Sequence, residues 1–195
     1  MVSEGVRLFS WYRVIALLLL VLFGGVSFVY SYAPSLVFQS FYPLKYEEQI
    51  KRASSSFGLD PYLVAAVIRT ESNWDAGARS GKGAEGLMQL LPETAQDMVR
   101  IGYVDGSSYR SDNLMDPDTN IEFGCAYLAY LLKYFNGATD KAIAAYNAGM
   151  GNVDSWTQDD TLVHSAITFP ETQAYLARVR VALSRYQDLY PDSFM

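Results

Sequence analysis

Glu71 is the residue in this chain whose position demands a chemical explanation. Leu63, Val64, Val67 and Ile68 recur before it at the helical period, and Glu71 stands seven residues after Val64, four after Val67 and three after Ile68. A carboxyl group so placed lies on the apolar stripe of its helix and points where the core points. Most carboxylates on such a face pair with an arginine or cap a neighbouring helix. Here Val64, Val67 and Ile68 desolvate the group, and burial disfavours its charged form, so its pKa rises. A carboxyl that keeps its proton near neutral pH can deliver it to a leaving oxygen. From Ala76 to Gly86 the chain then runs Ala-Gly-Ala-Arg-Ser-Gly-Lys-Gly-Ala-Glu-Gly. The hydroxyls of Ser72 and Ser80, the amide of Gln89 and the backbone N–H groups opened by those glycines suit the hydroxyl and amide groups of a sugar. A phosphate site needs more positive charge than Arg79 and Lys82 supply, and no P-loop pattern is present.

Other reactive side chains carry less. Asp75, one turn after Glu71, is the obvious second carboxylate, but its place past Trp74 at the helix end reads as a solvated loop residue. Glu85 and Glu93 read as solvent-facing or as support for a helix N-terminus. The single cysteine, Cys125, excludes an internal disulfide framework and sits in an apolar run, as a small buried hydrophobe would. Paired with His164, the one histidine, it is the other conceivable nucleophile, though neither lies in a recognisable motif. One His and one Cys make no zinc cluster, and the acids lack EF-hand spacing, so no metal or cofactor is implied.

The elements that position Glu71 are helical. Residues 47–56 read as a helix punctuated by Phe57-Gly58, and Asp60-Pro61 restarts one with a cap and an N1 proline. A glycine-punctuated loop follows Trp74, Pro92 opens a helix to about Ile101, and 102–115 is a polar loop. Asp116-Pro117 repeats the capping device before Ile121, Cys125, Leu128, Leu132 and Phe135, and Asn136-Gly137 ends that helix. Asp140–Ala148 forms the next, closing at Gly149 in a left-handed C-cap. A loop with Trp156 and His164 leads to a last helix over 168–189, with Tyr175, Leu176, Val179, Leu183 and Tyr186 on one face. At most a short hairpin of β-structure is expected, so the fold class is all-α.

Composition sets the frame. Of the 195 residues half are hydrophobic and 14% aromatic, enough for a real core and incompatible with global disorder. Fifteen tyrosines exceed what a minimal core needs, which fits either a surface that stacks on something or ordinary half-buried filler. The formal charge is -6 and no basic run occurs, which argues against nucleic acid as a partner. Val14 to Tyr30 is nearly unbroken apolar sequence, roughly seventeen residues, at the short end of what spans a bilayer. Arg7 and Arg13 precede it and Lys45 is the next cation, so the N-terminus is expected inside and the remainder outside. Trp11, Tyr12, Tyr30 and Tyr32 flank it as interfacial anchors. A cleaved signal peptide is the competing reading, through Ser31-Tyr32-Ala33, but Pro34 would follow the cut and aromatics crowd the site. The organisation expected is a cytoplasmic N-terminus at 1–13, one transmembrane helix at 14–32, a tether at 33–45 and a catalytic domain at 46–195.

Four motifs then coincide. Glu71-Ser72, Ala78-x-Ser80, Gly83-Ala84-x-Gly86-Leu87-Met88-Gln89 and Pro92-x-Thr94-Ala95 resemble the catalytic segment of soluble-type (SLT-domain) lytic transglycosylases, lysozyme-like enzymes that cleave peptidoglycan. Asp116-Pro117-x-x-Asn120-Ile121-x-x-Gly124-x-x-Tyr127-Leu128 is similar to that family's second motif, and Ala145-Tyr146-Asn147-Ala148-Gly149 to its third. Phe169-Pro170-Glu171-Thr172-x-x-Tyr175 resembles the terminal motif, with Thr168 where a proline is usual. The resemblance covers about residues 45–190.

The resemblance implies a lysozyme-like helical domain in which Glu71 is the sole catalytic acid and base. It would protonate the oxygen between N-acetylmuramic acid and N-acetylglucosamine, then take a proton from the muramic 6-hydroxyl as that oxygen closes a 1,6-anhydro ring. An intramolecular nucleophile gains effective concentration and needs no second carboxylate, whereas ordinary glycosidases use two. The same resemblance marks Ser72, Ser80, Met88, Gln89, Tyr146, Asn147 and Tyr175 as groove or near-catalytic positions, although for Met88 core packing is at least as good a reading as substrate contact. In it Tyr146 and Tyr175 orient Glu71, and Asn147 meets an N-acetyl group. Peptidoglycan glycan strands are the implied partner and the cell-wall side of the membrane the implied place. Two alternatives stay open: a hydrolytic lysozyme on the same fold, and an inactive peptidoglycan-binding module.

Overall fold

The structure is a computed structural model and describes residues 4–32, 34–157 and 166–194. The chain divides into two compact units, Met1–Pro43 and Leu44–Met195. In the first, α1 spans Glu4–Tyr32 and α2 spans Pro34–Phe41. Within α1, Trp11–Ser31 has a mean hydropathy of 2.4 over 21 residues and none of it is buried, so it is long and apolar enough to cross a membrane. The span expected as a tether contains α2, a correction to the sequence reading. Pro34 is its first residue, where the missing N–H would have had no helical acceptor in any case. Ala33, where that tether was expected to begin, lies outside the described residues.

The second unit is all helix and loop among the described residues, its only β-pairing being the isolated bridges Arg79–Glu85 and Glu85–Leu90. Its helices are α3 (Glu47–Phe57), α4 (Pro61–Glu71), α5 (Pro92–Arg100), α6 (Pro117–Tyr134), α7 (Thr139–Ala148), α8 (Met150–Trp156) and α9 (Pro170–Leu189). The boundaries follow from local chemistry. Asp60 accepts from the Tyr62 N–H at 2.8 Å and Asp116 from the Thr119 N–H at 2.9 Å, each ahead of a proline that presets the first turn. Gly58, at φ 66°, ends α3 in the left-handed region, with its N–H returned to the last turn.

α6 is the central post. Ile121, Phe123, Cys125, Ala126, Leu128 and Leu131 are all buried along it, and α3, α5 and α7 pack against it. α9 lies against α4 and α7, burying Tyr175, Leu176, Val179, Ala182 and Tyr186. Leu183, expected on that face, is only half-buried. Two other expectations are corrected. Trp156 closes α8 rather than lying in a loop. Gly149, between α7 and α8, has φ 85° and ψ 149°, which is not the left-handed helical C-cap but an extended mirror region open essentially to glycine alone. Cys125 is fully buried, and burial pushes its thiol pKa far up, which fits the core role. His164, the partner considered for it, lies outside the described residues.

Candidate active site

Glu71 is the last residue of α4, and its position is the product of that helix's burial. Leu63 to Ile68 are all buried, so the helix has one rotational setting, and that setting carries Glu71 to a partly open position at its end. Ser72 caps it, its hydroxyl donating to the Ile68 carbonyl at 3.2 Å. Asn73 and Trp74 then take the left-handed region, at φ 53° and 68°. For residues with side chains that conformation is strained by about 1 kcal/mol or more each. Trp74 holds it by burial, with its indole N–H donating to the Tyr186 hydroxyl at 2.8 Å and its ring edge-on to Tyr186. The end of α4 is thereby fixed to α9, the helix that also brings Tyr175.

Tyr175 donates its hydroxyl to Glu71 Oε1 at 2.7 Å. Burial raises the Glu71 pKa from 4.5 to about 7, against smaller downward pulls from the Tyr175 hydrogen bond and the Arg178 charge. The Tyr175 and Tyr146 hydroxyls are themselves pushed well up, first by burial and then by the neighbouring Glu71, so both remain protonated donors. Tyr146, expected to orient Glu71, donates instead to the Met88 carbonyl at 3.0 Å. Only one of the two tyrosines grips the acid directly.

The loop from Asp75 to Leu91 forms a wall of the site and is held by its own polar groups. Asp75 is exposed and accepts from the Gly77 N–H at 2.9 Å, as a turn residue does. Ser80 accepts at its hydroxyl from the Ala84 N–H at 3.0 Å. Gln89, itself left-handed at φ 48°, donates its amide to the carbonyls of Ala78 at 3.0 Å and Gly86 at 2.9 Å, stapling the two ends of the loop. Glu85 faces neither solvent nor a helix end, contrary to expectation: it is half-buried and pairs with Arg79 at 2.8 Å.

Asn120 of α6, fully buried, anchors the loop, a role that its place in the second motif does not by itself reveal. Its Oδ1 accepts from the Met88 N–H at 2.7 Å, and its Nδ2 donates to the Glu85 and Leu114 carbonyls at 2.8 Å each. An amide was needed because the loop offers it both an N–H and two carbonyls. Gly86 leaves room for this, since a Cβ there would meet Asn120 Nδ2 and the Leu114 oxygen, each at 2.3 Å. Gly124 does the same for Met88, whose Sδ would lie 2.1 Å from a Cβ.

A groove of about 1100 Å³ opens over these elements, lined by Glu71, Ser80, Gln89, Tyr146 and Asn147 of the expected residues, with Lys82, Tyr127, Phe169 and Glu171 beside them. Asn147 is exposed, and its Oδ1 accepts from the Thr172 hydroxyl at 2.8 Å, which ties the end of α7 to the start of α9. Ser72, Met88 and Tyr175 do not line the groove. Ser72 serves the helix end, Tyr175 reaches Glu71 from beneath, and Met88 is fully buried with its side chain in the core. Lys82, Phe169 and Glu171 were not among the expected residues; Phe169, about half exposed, rests edge-on against Trp156 at 4.9 Å. The signal for them is their place in or beside the quoted motifs rather than any periodicity.

A family model described as the transglycosylase SLT domain matches residues 48–165. The soluble lytic murein transglycosylase of Escherichia coli K12 is 35% identical over 144 residues, which cover 71% of this chain and 22% of that protein. The protein of the same name from Salmonella typhimurium LT2 is 34% identical over 145 residues, with the same coverage. The chain therefore spans about a fifth of the length of these curated relatives. Among solved structures, an inactive mutant of lytic transglycosylase Slt from Pseudomonas aeruginosa superposes with a TM-score of 0.69 at 35% identity, over 76% of this chain and 25% of that one. The 70 kDa soluble lytic transglycosylase of Escherichia coli gives 0.73 at 32% identity, over 80% and 26%, and a complex of the 70 kDa soluble lytic transglycosylase with bulgecin A gives 0.73 at 33% identity over the same shares. A family model that spans more than half of the residues, including Glu71, the stapled loop and α6, agrees with this all-helical architecture, and the chain belongs to the transglycosylase SLT domain family.

Proposed function

We propose that this protein is a membrane-anchored lytic transglycosylase that cleaves the β-1,4 bond between N-acetylmuramic acid and N-acetylglucosamine in peptidoglycan, with Glu71 as its single acid and base. One observation carries the reading: a carboxyl at the base of an open groove, held near pKa 7 by burial and gripped by a tyrosine hydroxyl. Protonated Glu71 gives its proton to the glycosidic oxygen as the bond to the anomeric carbon breaks. The resulting carboxylate accepts the proton of the muramic 6-hydroxyl as that oxygen bonds to the same carbon. No water is consumed, and the products together contain the atoms of the substrate. Ser80, Gln89, Tyr146 and Asn147 contribute groove surface; the loop-stapling bonds of Gln89 make it a positioning residue as much as a contact. The relatives' names, lytic murein transglycosylase, support the same substrate class.

The hydrolytic alternative needs a second carboxylate, and the groove contains Glu171 rather than Asp75. We place α1 in the cytoplasmic membrane, N-terminus inside and groove on the wall side, from the Arg7 and Arg13 asymmetry. The test is digestion of purified peptidoglycan by the full chain in detergent, with Glu71→Gln alongside. Release of soluble muropeptides by the wild type only, with wall binding retained by the variant, is expected. Equal release by both proteins would contradict the assignment of Glu71, and binding without release by either would leave a binding module.

A further inference from the structure

Lys82 stands at the tip of a turn that is built more firmly than an ordinary surface loop. The Gly83 N–H donates to the Ser80 carbonyl at 3.0 Å and the Ser80 N–H to the Ala84 carbonyl at 2.9 Å. The Ser80 hydroxyl accepts from the N–H groups of Lys82 at 3.3 Å and Ala84 at 3.0 Å. Gly83, at φ 85°, makes the reversal possible without strain. Four bonds thus close a five-residue turn whose members Ser80, Gly81, Lys82 and Ala84 all line the groove that holds Glu71.

The charge at that tip is uncommitted. Arg79, the loop's other cation, is taken by Glu85. Among the described residues, the Lys82 side chain makes no ion pair or hydrogen bond, and it is the one cation lining the groove. Among the described residues the groove's carboxyl groups are Glu71 and Glu171. In a chain of net charge -6 no general field draws anions in, so a lone ammonium in the groove acts locally.

We propose that Lys82 forms a carboxylate-binding subsite that sets which glycan strands the groove accepts. The inference rests on the peptidoglycan reading above. A muramic residue carries a lactyl group that is either a free carboxylate or the attachment of a stem peptide, whose own carboxylates lie further out. Both sources present the same chemistry to a compact ammonium on a flexible stem. The subsite holds substrate and takes no part in proton transfer.

The experiment measures binding of the full chain in detergent to soluble glycan strands, on the Glu71→Gln background so that nothing is cleaved. Three ligands are compared: strands with stem peptides, strands stripped of peptides to expose the lactyl carboxylate, and both after amidation of their carboxylates. Lys82→Gln is expected to weaken binding about 3- to 10-fold, the scale of one ordinary net hydrogen bond at a solvent-exposed side chain. Lys82→Arg should restore it, and added salt should erase most of the difference. A loss confined to stripped strands assigns the lactyl carboxylate, and a loss confined to peptide-bearing strands assigns the stem. Equal Kd for wild type and Lys82→Gln on every strand, or an undiminished difference on amidated strands, overturns the proposal. Because binding is read without turnover, failure of the enzyme to cleave would contradict the function above and still leave this measurement decisive.

Discussion

At Glu71 burial opposes ionisation more strongly than Tyr175 and Arg178 favour it, and the balance falls at a pKa of about 7. That sign has two consequences. For catalysis, the form that protonates the leaving oxygen is lost as pH rises through about 7, so kcat/KM should fall up to tenfold per pH unit above it. Tyr175→Phe removes a hydrogen bond that favours the carboxylate, so its falling limb should lie at higher pH than the wild type's. An unmoved limb would mean that Tyr175 does not tune the acid. For stability, folded and unfolded chains both hold the proton below about 4.5. Between there and about 7 the unfolded chain releases it first, so stability declines across that window and the loss is complete above it. The loss is on the order of 3 kcal/mol at one pKa unit per 1.4 kcal/mol. Glu71→Gln should therefore melt above the wild type at pH 8 and converge with it near pH 4, which a pair of thermal melts at each pH checks. The apolar stripe before Glu71 made this acid legible from sequence. The tyrosine's grip was not derivable from periodicity, because it joins residues 104 positions apart.

The loop from Asp75 to Leu91 is an element without regular structure that nevertheless has one conformation. Its order comes from outside, through the three hydrogen bonds of the Asn120 side chain, and from within, through Gln89. Removing Asn120 would leave a buried N–H and two buried carbonyls without that partner, an effect of about 1–3 kcal/mol per group. Gly86→Ala adds a Cβ into 2.3 Å contacts at a backbone φ of 76°, and should destabilise by at least about 2 kcal/mol. Urea unfolding measures both; a midpoint for Gly86→Ala equal to the wild type's would refute the packing described. Helix positions were readable because caps, prolines and apolar spacing are local signals: α4 and α6 start where Asp60-Pro61 and Asp116-Pro117 predict. α8 was missed because its seven residues carry no side-chain cap, and α2 because Pro34 reads equally as a helix breaker or a first residue. Met88 was open between groove and core in the sequence, and its burial depends on Gly124, which lies on another element.

For the whole molecule, the division at Pro43 and Leu44 separates an apolar helix from a unit with its own core. Residues 44–195 are expected to fold alone and stay in the supernatant, whereas the full chain should sediment with membranes and resist extraction by salt or alkali. A salt-extractable full chain would contradict the anchor. The apolar run at residues 14–30 was legible in composition, and the structure carries it on one long helix, α1, with none of Trp11–Ser31 buried. Direct evidence on the reaction comes from the oxygen atoms of the product. The most direct measurement is mass spectrometry of peptidoglycan digested by the wild-type protein in heavy-oxygen water. The account predicts muropeptides one water lighter than hydrolysis products, with no heavy oxygen at the muramic anomeric carbon, and the same ends from Glu171→Gln. Reducing ends that carry the heavy oxygen, and that vanish in Glu171→Gln, would contradict a single-acid transglycosylase and show a two-carboxylate hydrolase instead.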